Sequence, residues 1–154
     1  MMMKFIGKAC LCAALIMMMG SCSTKQAPVP APLAEELSWV EADHYFVKAD
    51  ADSIPTKIVS AEEFRRYFGM APVMGPNGKP TEIDFGRQFV VAYTVVPSDR
   101  EIALKPKSVT RTNGIVSVVV DIEQGQPLTY MMRPLLLLVL DRKYASDQVV
   151  VETE

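Results

Sequence analysis

Cysteine is scarce in this sequence, and its distribution excludes several kinds of site. The chain has three cysteines, Cys10, Cys12 and Cys22, and none follows Cys22. The remaining residues therefore cannot form a disulfide framework, a CxxC redox centre or a cysteine-based metal site among themselves. A fold built from them must depend on an apolar core.

Histidine and net positive charge are also lacking. His44 is the only histidine, so a serine triad or a histidine-containing metal site would depend on this one side chain. From residue 22 onward there are 14 Lys and Arg against 18 Asp and Glu, a formal net charge of −4. This balance lacks the basic excess that is typical of nucleic-acid binding.

Catalytic and cofactor-binding motifs are missing as well. Asp84-Phe85-Gly86 matches a kinase tripeptide, but the glycine-rich loop and the catalytic loop of kinases are absent. Asp50 and Asp52 alternate as at the start of a calcium loop, but the glycine and the distal glutamate do not follow at the EF-hand spacing. We therefore predict no catalytic residue, no metal and no cofactor. A carboxylate pair that converges only in the fold stays open as an alternative.

No apolar run is long enough to cross a bilayer. The run Ala9–Met19 is shorter than the roughly 20 residues that a spanning helix needs. It follows Lys4 and Lys8 and precedes Gly20-Ser21, an order typical of a secretory signal peptide, which predicts a signal over residues 1–21.

The cysteine that follows this segment adds a resemblance. Met19-Gly20-Ser21-Cys22 resembles the lipobox of bacterial lipoproteins, although Met19 stands where that family more often has Leu. The resemblance implies cleavage before Cys22 and a lipid on its sulfur, and so a partner in the membrane. A plain cleaved secretory signal is the alternative. Ser23, with no Asp beside the cysteine, resembles lipoproteins of the outer membrane, and Lys25-Gln26 lacks the acidic pair of surface-export signals, so we expect the periplasmic face.

We predict that residues 22–34 form a tether and that residues 35–154 form one domain. The segment from Ser23 to Pro32 has three alternating prolines and almost no large apolar side chain. Such a composition favours an extended polyproline conformation, at about 3.1 Å per residue. The roughly 120 residues that follow suffice for a single domain with its own core.

The clearest local signal is a short helix over residues 61–68. Ser60-Ala61-Glu62-Glu63 has the form of a capping box, in which Ser60 accepts from the Glu63 amide and Glu63 reaches back to the Ser60 amide. Gly69 supplies a left-handed stop. Phe64, Tyr67 and Phe68 recur at helical spacing, which predicts an aromatic face packed on the core.

Strand patterns dominate the rest and predict an α+β fold, a single, mainly antiparallel sheet or half-sandwich with one short helix. Gln88–Val96 is apolar on both faces, which predicts a central strand. Asn113-Gly114 predicts a tight hairpin turn before the alternating strand Ile115–Glu123. Leu135–Leu140 predicts a buried strand, with a short helix as the alternative. Three further strands are predicted, over Ala42–Lys48, Thr56–Val59 and Leu128–Met132. A turn is predicted at Pro97-Ser98-Asp99, and the strands are predicted to break at Pro106 and at Gln124–Pro127. The last segment, Gln148–Val151, is predicted to form a hairpin with the leucine strand.

Two loops are the candidate partner-binding segments. Met70–Pro80 has three prolines and two glycines, so it predicts a loop, and Met70, Val73 and Met74 make it unusually apolar. The alternative is that these side chains fold back over a sheet edge. With the segment Pro97–Glu101, the candidate residues are Met70, Val73, Met74, Asn77, Ser98, Asp99 and Arg100.

The order of these elements resembles the C-terminal domain of PrcB-like protease-complex lipoproteins over roughly Lys57–Val151. The matching pieces are Ser60-Ala61-Glu62-Glu63-Phe64, Ile83-Asp84-Phe85, the strand at Phe89–Ala92, the strand at Val116–Ile122 and the extended segment Thr129–Leu140. Where that family has a Gly-Gly-Tyr-type turn, this chain has Ser98-Asp99-Arg100. The resemblance implies an α+β domain that stabilises or assists a partner protein and is not itself an enzyme.

The leading hypothesis is therefore a membrane-tethered, protein-binding module of the cell envelope. The alternatives are a hydrolase whose carboxylates converge in the fold and a carrier of a small ligand. Two carboxyl groups in one cleft would favour the hydrolase and a closed apolar cavity the carrier, whereas an exposed patch at Met70, Val73 and Met74 would favour the protein-binding module.

Overall fold

Strands make up most of the structure, a computed structural model that describes residues 33–154. All described residues belong to one unit, Ala31–Glu154. The strands are β1 (Glu35–Glu36), β2 (Val40–Glu41), β3 (Tyr45–Val47), β4 (Lys57–Ile58), β5 (Phe68–Met70), β6 (Gln88–Thr94), β7 (Ser98–Thr112), β8 (Ile115–Met132), β9 (Leu135–Asp141) and β10 (Gln148–Thr153). One α-helix, α1 (Ala61–Tyr67), lies between β4 and β5, and a 3₁₀ helix, Arg142–Tyr144, precedes β10. The α+β class is confirmed.

The strands form more than one sheet. The first sheet has the order β1-β7-β8-β10, the second has the order β2-β9-β6-β4, and β3 pairs with β5 in a small two-stranded sheet. All pairs are antiparallel except β8 with β10, which are parallel. The expected mainly antiparallel architecture is present, but it is divided among three sheets because β7 and β8 pair with each other and not with β6 or β9.

The second sheet is covered on both faces. In β6, Phe89 and Val91 face one core while Val90 and Ala92 face another. The leucine strand β9 alternates in the same way. Strands without a polar face are buried on both sides, so the central-strand prediction for β6 and the strand interpretation of Leu135–Leu140 are confirmed.

The first core lies between the two four-stranded sheets. Val116, Val118 and Val120 of β8 are at most 1% exposed and contribute from the first sheet. The second sheet contributes alternate residues of β6 and β9, so the two sheets pack face to face. The members of this core are Leu37, Phe89, Val91, Leu104, Val109, Val116, Val118, Val120, Leu136, Leu138 and Leu140.

The helix and the small sheet cover the other face of the second sheet. Phe64 of α1 and Phe68 of β5 are buried against this face, with ring centroids 4.9 Å apart. The Tyr45 ring meets Phe64 edge-on at 5.1 Å, and Phe85 lies 5.6 Å from Phe64. Aromatic pairs prefer such tilted and edge-to-face arrangements, so these rings form the second core around Phe64, as the helical spacing predicted.

Helix α1 is capped as predicted at its start but ends differently. The Glu63 amide donates to Ser60 Oγ at 3.2 Å, whereas the Glu63 carboxylate accepts from the Val59 amide, not from Ser60. The predicted end at residue 68 with a left-handed Gly69 is wrong. Phe68 is extended, and its amide donates to the Phe64 carbonyl. The chain passes directly into β5 because Phe68 and Gly69 pair with β3.

The predicted breaks around β7 and β8 are also wrong. Pro97-Ser98-Asp99 is not a turn, since Ser98 begins β7, and both β7 with Pro106 and β8 with Gln124–Pro127 are continuous strands. Register shifts at three places in the pair absorb the prolines and the irregular residues. The hairpin turn itself is confirmed, with φ of 52° at Asn113 and 78° at Gly114.

The last strand pairs with a different partner from the one predicted. Gln148–Thr153 forms no hairpin with β9; it runs parallel to β8, with Val150 opposite Ser117. The 3₁₀ helix carries the chain from the second sheet to the first. Lys57 Nζ holds the connection by donating to the carbonyls of Ala145 and Asp147 at 2.9 and 2.8 Å.

The predicted signal peptide, the lipidation residue Cys22 and the tether up to residue 32 lie outside the described residues. Within residues 33–154 no helix has the length and apolar character to span a membrane.

Candidate protein-binding surface

Large apolar side chains are exposed at the end of β5, where Met70 lies, and in the loop that follows it. Met70 is 66% exposed, Val73 58% and Met74 fully exposed at 102%. The alternative in which these side chains fold back over a sheet edge is therefore not what the structure has. We call the three residues the methionine surface.

The loop is closed on itself by backbone hydrogen bonds. The Val73 amide donates to the Gly78 carbonyl at 2.9 Å, and the Gly78 amide donates to the Gly75 carbonyl at 3.2 Å. Gly78 has no room for a side chain, because an added Cβ would lie 1.7 Å from the Val73 carbonyl oxygen. The sequence Gly-Pro-Asn-Gly thus forms a tight reversal that carries Val73 and Met74 outward.

His44 fastens this reversal to the body of the domain. Its carbonyl accepts from the Ala71 amide at 2.8 Å, and its Nε2 lies 2.8 Å from the Asn77 carbonyl oxygen. His44 has a φ of 64°, a left-handed conformation that is uncommon outside glycine and asparagine. This backbone kink separates β2 from β3, which explains why the strand predicted over Ala42–Lys48 is shortened to Tyr45–Val47.

A second fastening lies at the end of the loop. The Asp43 amide donates to Thr81 Oγ1 at 3.0 Å, and the Thr81 amide donates to the Asp43 carbonyl at 3.2 Å. The Tyr45 hydroxyl donates to the Thr81 carbonyl at 2.6 Å. Because both ends and the tip are held, the backbone of this loop loses little conformational entropy when a partner binds.

An open groove adjoins the methionine surface. It has a volume of about 560 Å³ and lies between α1, β5 and the segment 79–85. Its lining is mainly apolar and includes four aromatic rings, and Met70 belongs to both the groove and the methionine surface. The lining residues are Tyr45, Ala61, Phe64, Arg65, Phe68, Met70, Lys79, Pro80, Thr81, Glu82, Ile83 and Phe85.

The pKa of Tyr45, a residue of the groove, is raised by burial and by a neighbouring carboxylate. Burial raises the pKa of the Tyr45 hydroxyl, and the negative charge of Glu82 raises it further. Tyr45 is therefore a hydrogen-bond donor at neutral pH, as its bond to Thr81 requires. Arg65 and Lys79 supply positive charge at the same groove.

A turn at Asp84 positions Phe85, which lines the groove. Asp84 accepts from Arg87 Nε and from the Gly86 amide, each at 2.9 Å. These bonds, the one to Arg87 first, hold the pKa of the Asp84 carboxyl below its ordinary value. The turn precedes β6 and places Phe85 against Phe64.

The other three candidate residues do not join this site. Ser98, Asp99 and Arg100 are in β7, where Ser98 pairs with Met132 and Arg100 with Pro127. The Arg100 amide donates to Ser98 Oγ at 3.0 Å. None of the three lines the groove. The prediction that these residues form a loop is wrong because β8 extends far enough to pair with them. Their contact with a partner protein stays a prediction.

The same part of the molecule has exposed apolar residues that sequence reasoning missed. Val96 is exposed, and so are Tyr130 and Met131 of β8. Neighbouring residues of a strand point to opposite faces, so exposure of both Tyr130 and Met131 means that neither face of the β7–β8 pair is covered here. The run Tyr130-Met131-Met132 gave no signal of this exposure, since consecutive large apolar residues in a strand predict burial on both faces.

The carboxylates of the described residues do not pair in either pocket that we find. The groove contains one carboxylate, Glu82, and a second pocket of about 430 Å³ near Trp39 contains one, Asp141. Glu41 and Asp43 do interact, since burial and then the charge of Asp43 raise the pKa of Glu41. Neither residue lines either pocket. Within residues 33–154 no group of three acidic, histidine or cysteine side chains is arranged to hold a metal ion.

Comparison with protein-family models, with curated proteins and with solved structures finds no match to this chain.

Proposed function

We propose that this chain is a membrane-tethered lipoprotein of the cell envelope whose domain binds another protein through the methionine surface. The observation that carries the proposal is the exposure of Met70 at the end of β5 and of Val73 and Met74 on the loop that follows. His44 and Thr81 hold this loop in place. Flexible, polarisable methionine side chains adapt to a partner's shape. A fastened backbone limits the entropy that binding costs.

The groove beside the loop supports a protein partner. Exposed apolar residues next to an apolar groove are typical of interfaces, where a few anchor side chains supply most of the binding energy. The groove is open, unlike the closed cavity expected of a small-ligand carrier. It contains one carboxylate, whereas a glycoside hydrolase needs two. The PrcB-like resemblance favours a partner in a protease complex, and that narrower assignment rests on the resemblance alone.

The partner is tested by crosslinking a tagged chain in cells and identifying the products by mass spectrometry. The native chain is compared with a variant that carries Met70→Ser, Val73→Ser and Met74→Ser. The control carries Val96→Ser, Tyr130→Ser and Met131→Ser, which removes a similar amount of exposed apolar surface elsewhere. We expect a crosslinked protein that is captured by the native chain and by the control, and lost with the first variant. Equal loss in both variants, or no specific product, would contradict the proposal.

The tether is tested separately. We propose a lipid on Cys22, so a Cys22→Ser chain should leave the membrane fraction and show no shift in mass from acylation. A Cys12→Ser chain is the matched control and should stay with the membrane. A Cys22→Ser chain that still partitions with membranes would rule out the lipid anchor without affecting the protein-binding proposal.

A further inference from the structure

Strand β10 has an open outer edge. It is the last strand of the first sheet, and within residues 33–154 no other strand pairs with its outer side. Its sequence is Gln-Val-Val-Val-Glu-Thr, with no proline, glycine or lysine. An edge strand of this kind presents unpaired amide and carbonyl groups to any further strand.

Several other edges of the described sheets have features that hinder strand addition, and β10 lacks these features. The part of β7 that extends past β1 carries Pro106 between Lys105 and Lys107 and has register shifts. Edge lysines, prolines and bulges are the usual devices against strand addition. The edge strands β2 and β4 have two residues each, too few to template a partner.

We propose that β10 pairs with β10 of a second copy of this chain, antiparallel about a two-fold axis at Val150. The two first sheets then become one continuous sheet of eight strands. Such an interface is isologous, with the same edge contributed by both copies.

The side-chain pattern of β10 selects this register. Val149 and Val151 pack against the first core, so Gln148, Val150 and Glu152 point to the opposite face. Directly opposed residues of antiparallel strands lie on the same face, which requires the axis to pass through a residue.

An axis at Val150 places valine side chains opposite valine side chains and keeps the two Glu152 carboxylates apart. Val149 then lies opposite Val151, Val150 opposite its own copy, and Gln148 opposite Glu152, so no like charges face each other. An axis at Val151 would set Val150 against the carboxylate of Glu152. An axis at Glu152 would oppose two carboxylates, which is destabilising.

Among residues 33–154, no strand is paired with the outer side of β10. The strand β1, through which the chain enters the domain, occupies the opposite edge of the first sheet. The methionine surface lies at the end of β5, which belongs to the two-stranded sheet, and on the loop that follows. Pairing through β10 is therefore independent of the proposed protein-binding function. An experiment that contradicts one of these two proposals does not contradict the other.

The pairing is tested by sedimentation of the full chain in mild detergent and reductant over a range of concentrations. The test variant is Val150→Lys, which sets two ammonium groups opposite each other at the axis. The control is Val119→Lys, which puts the same charge on the same face of the first sheet, one strand away from the edge. We expect the native chain and the control to reach the mass of a dimer and the test variant to dimerise about fivefold more weakly.

Three outcomes would overturn the proposal. One is a native chain that stays monomeric at every concentration. Another is a dimer that Val150→Lys leaves unchanged, which would place the interface on another surface. The third is equal weakening by both lysine variants, which would indicate a general effect of charge. Near-native circular dichroism of both variants establishes that they are folded.

Discussion

The imidazole of His44 lies 2.8 Å from the carbonyl oxygen of Asn77, through its Nε2 atom. The two residues are 33 positions apart in the sequence. This bond joins the kink between β2 and β3 to the tip of the loop that carries the methionine surface. The chain's only histidine therefore has a structural role, in which Nε2–H donates to the Asn77 carbonyl oxygen.

Replacing His44 should loosen the loop while leaving the core intact. His44→Asn removes the bond to Asn77 but tolerates the left-handed backbone. A single hydrogen bond contributes about 0.5–1.5 kcal/mol, so the amides of Val73 and Gly78 should exchange about two- to tenfold faster with deuterium. Amides of β6 and β9 serve as the internal control. Unchanged exchange at Val73 and Gly78 would mean that the imidazole does not hold the loop.

Gly78→Ala should disrupt the same loop from within. An added Cβ would lie 1.7 Å from the Val73 carbonyl oxygen, so the reversal must open. We expect a loss of about 1–3 kcal/mol in the free energy of unfolding, measured by urea denaturation, as for other overpacked sites. Gly86→Ala is the matched control, since the nearest atom there is a side-chain oxygen of Asp84 at 3.0 Å. Equal stability of the Gly78 variant and the native chain would contradict this account of the loop.

Glu82 should control the titration of Tyr45. Burial is the first cause of the raised tyrosine pKa and Glu82 is the second. Glu82→Gln should therefore lower the pKa of Tyr45 while leaving it above that of an exposed tyrosine. Ultraviolet absorbance during an alkaline titration, with Tyr45→Phe used to assign the signal, measures this change. A Tyr45 pKa that rises or stays the same in Glu82→Gln would refute the assigned cause.

Asp84 should contribute stability that acid removes. Its folded-state pKa is lower than in the unfolded chain because Arg87 and the Gly86 amide stabilise the carboxylate. The contribution is complete above the unfolded-state pKa and is lost as the pH falls through the folded-state pKa. In Asp84→Asn the free energy of unfolding should therefore change less between pH 5 and pH 2 than in the native chain. Identical pH profiles of the two chains would show that the turn does not contribute.

Local patterns in the sequence were sufficient where a structure depends on neighbouring residues. The Asn113-Gly114 turn, the Ser60 cap and the apolar strands β6 and β9 follow from periodicity and from turn chemistry, and all four are present. They were predictable because the residues that determine each of them lie within a few positions.

Pairing between strands that lie far apart in the sequence could not be predicted from local patterns. Pro106 and Pro127 indicate breaks by local rules, yet the long β7–β8 pair accommodates both through register shifts. The parallel pairing of β10 with β8 depends on the 3₁₀ helix and on Lys57, which lies 88 positions from Ala145.

The candidate site was predictable only in part. The apolar composition of Met70–Gly78 left open whether its large side chains are exposed or fold back over a sheet edge, and in the structure Met70, Val73 and Met74 are exposed. The groove was not predicted, because it needs α1, β5 and the segment 79–85 to come together. Ser98–Arg100 was predicted as a loop and is a strand, since its strand partner, the end of β8, lies about 30 residues away in the chain.

Site-specific photocrosslinking at Met74 tests the central claim most directly. A photoreactive amino acid is placed at Met74 or, as the control, at Gln124, an exposed residue of β8, and intact cells are irradiated. The account predicts a discrete adduct with one protein from position 74 that is absent from position 124 and is reduced when Val73→Asp is added. No adduct from position 74, or the same adducts from both positions, would contradict the claim that the methionine surface binds a partner.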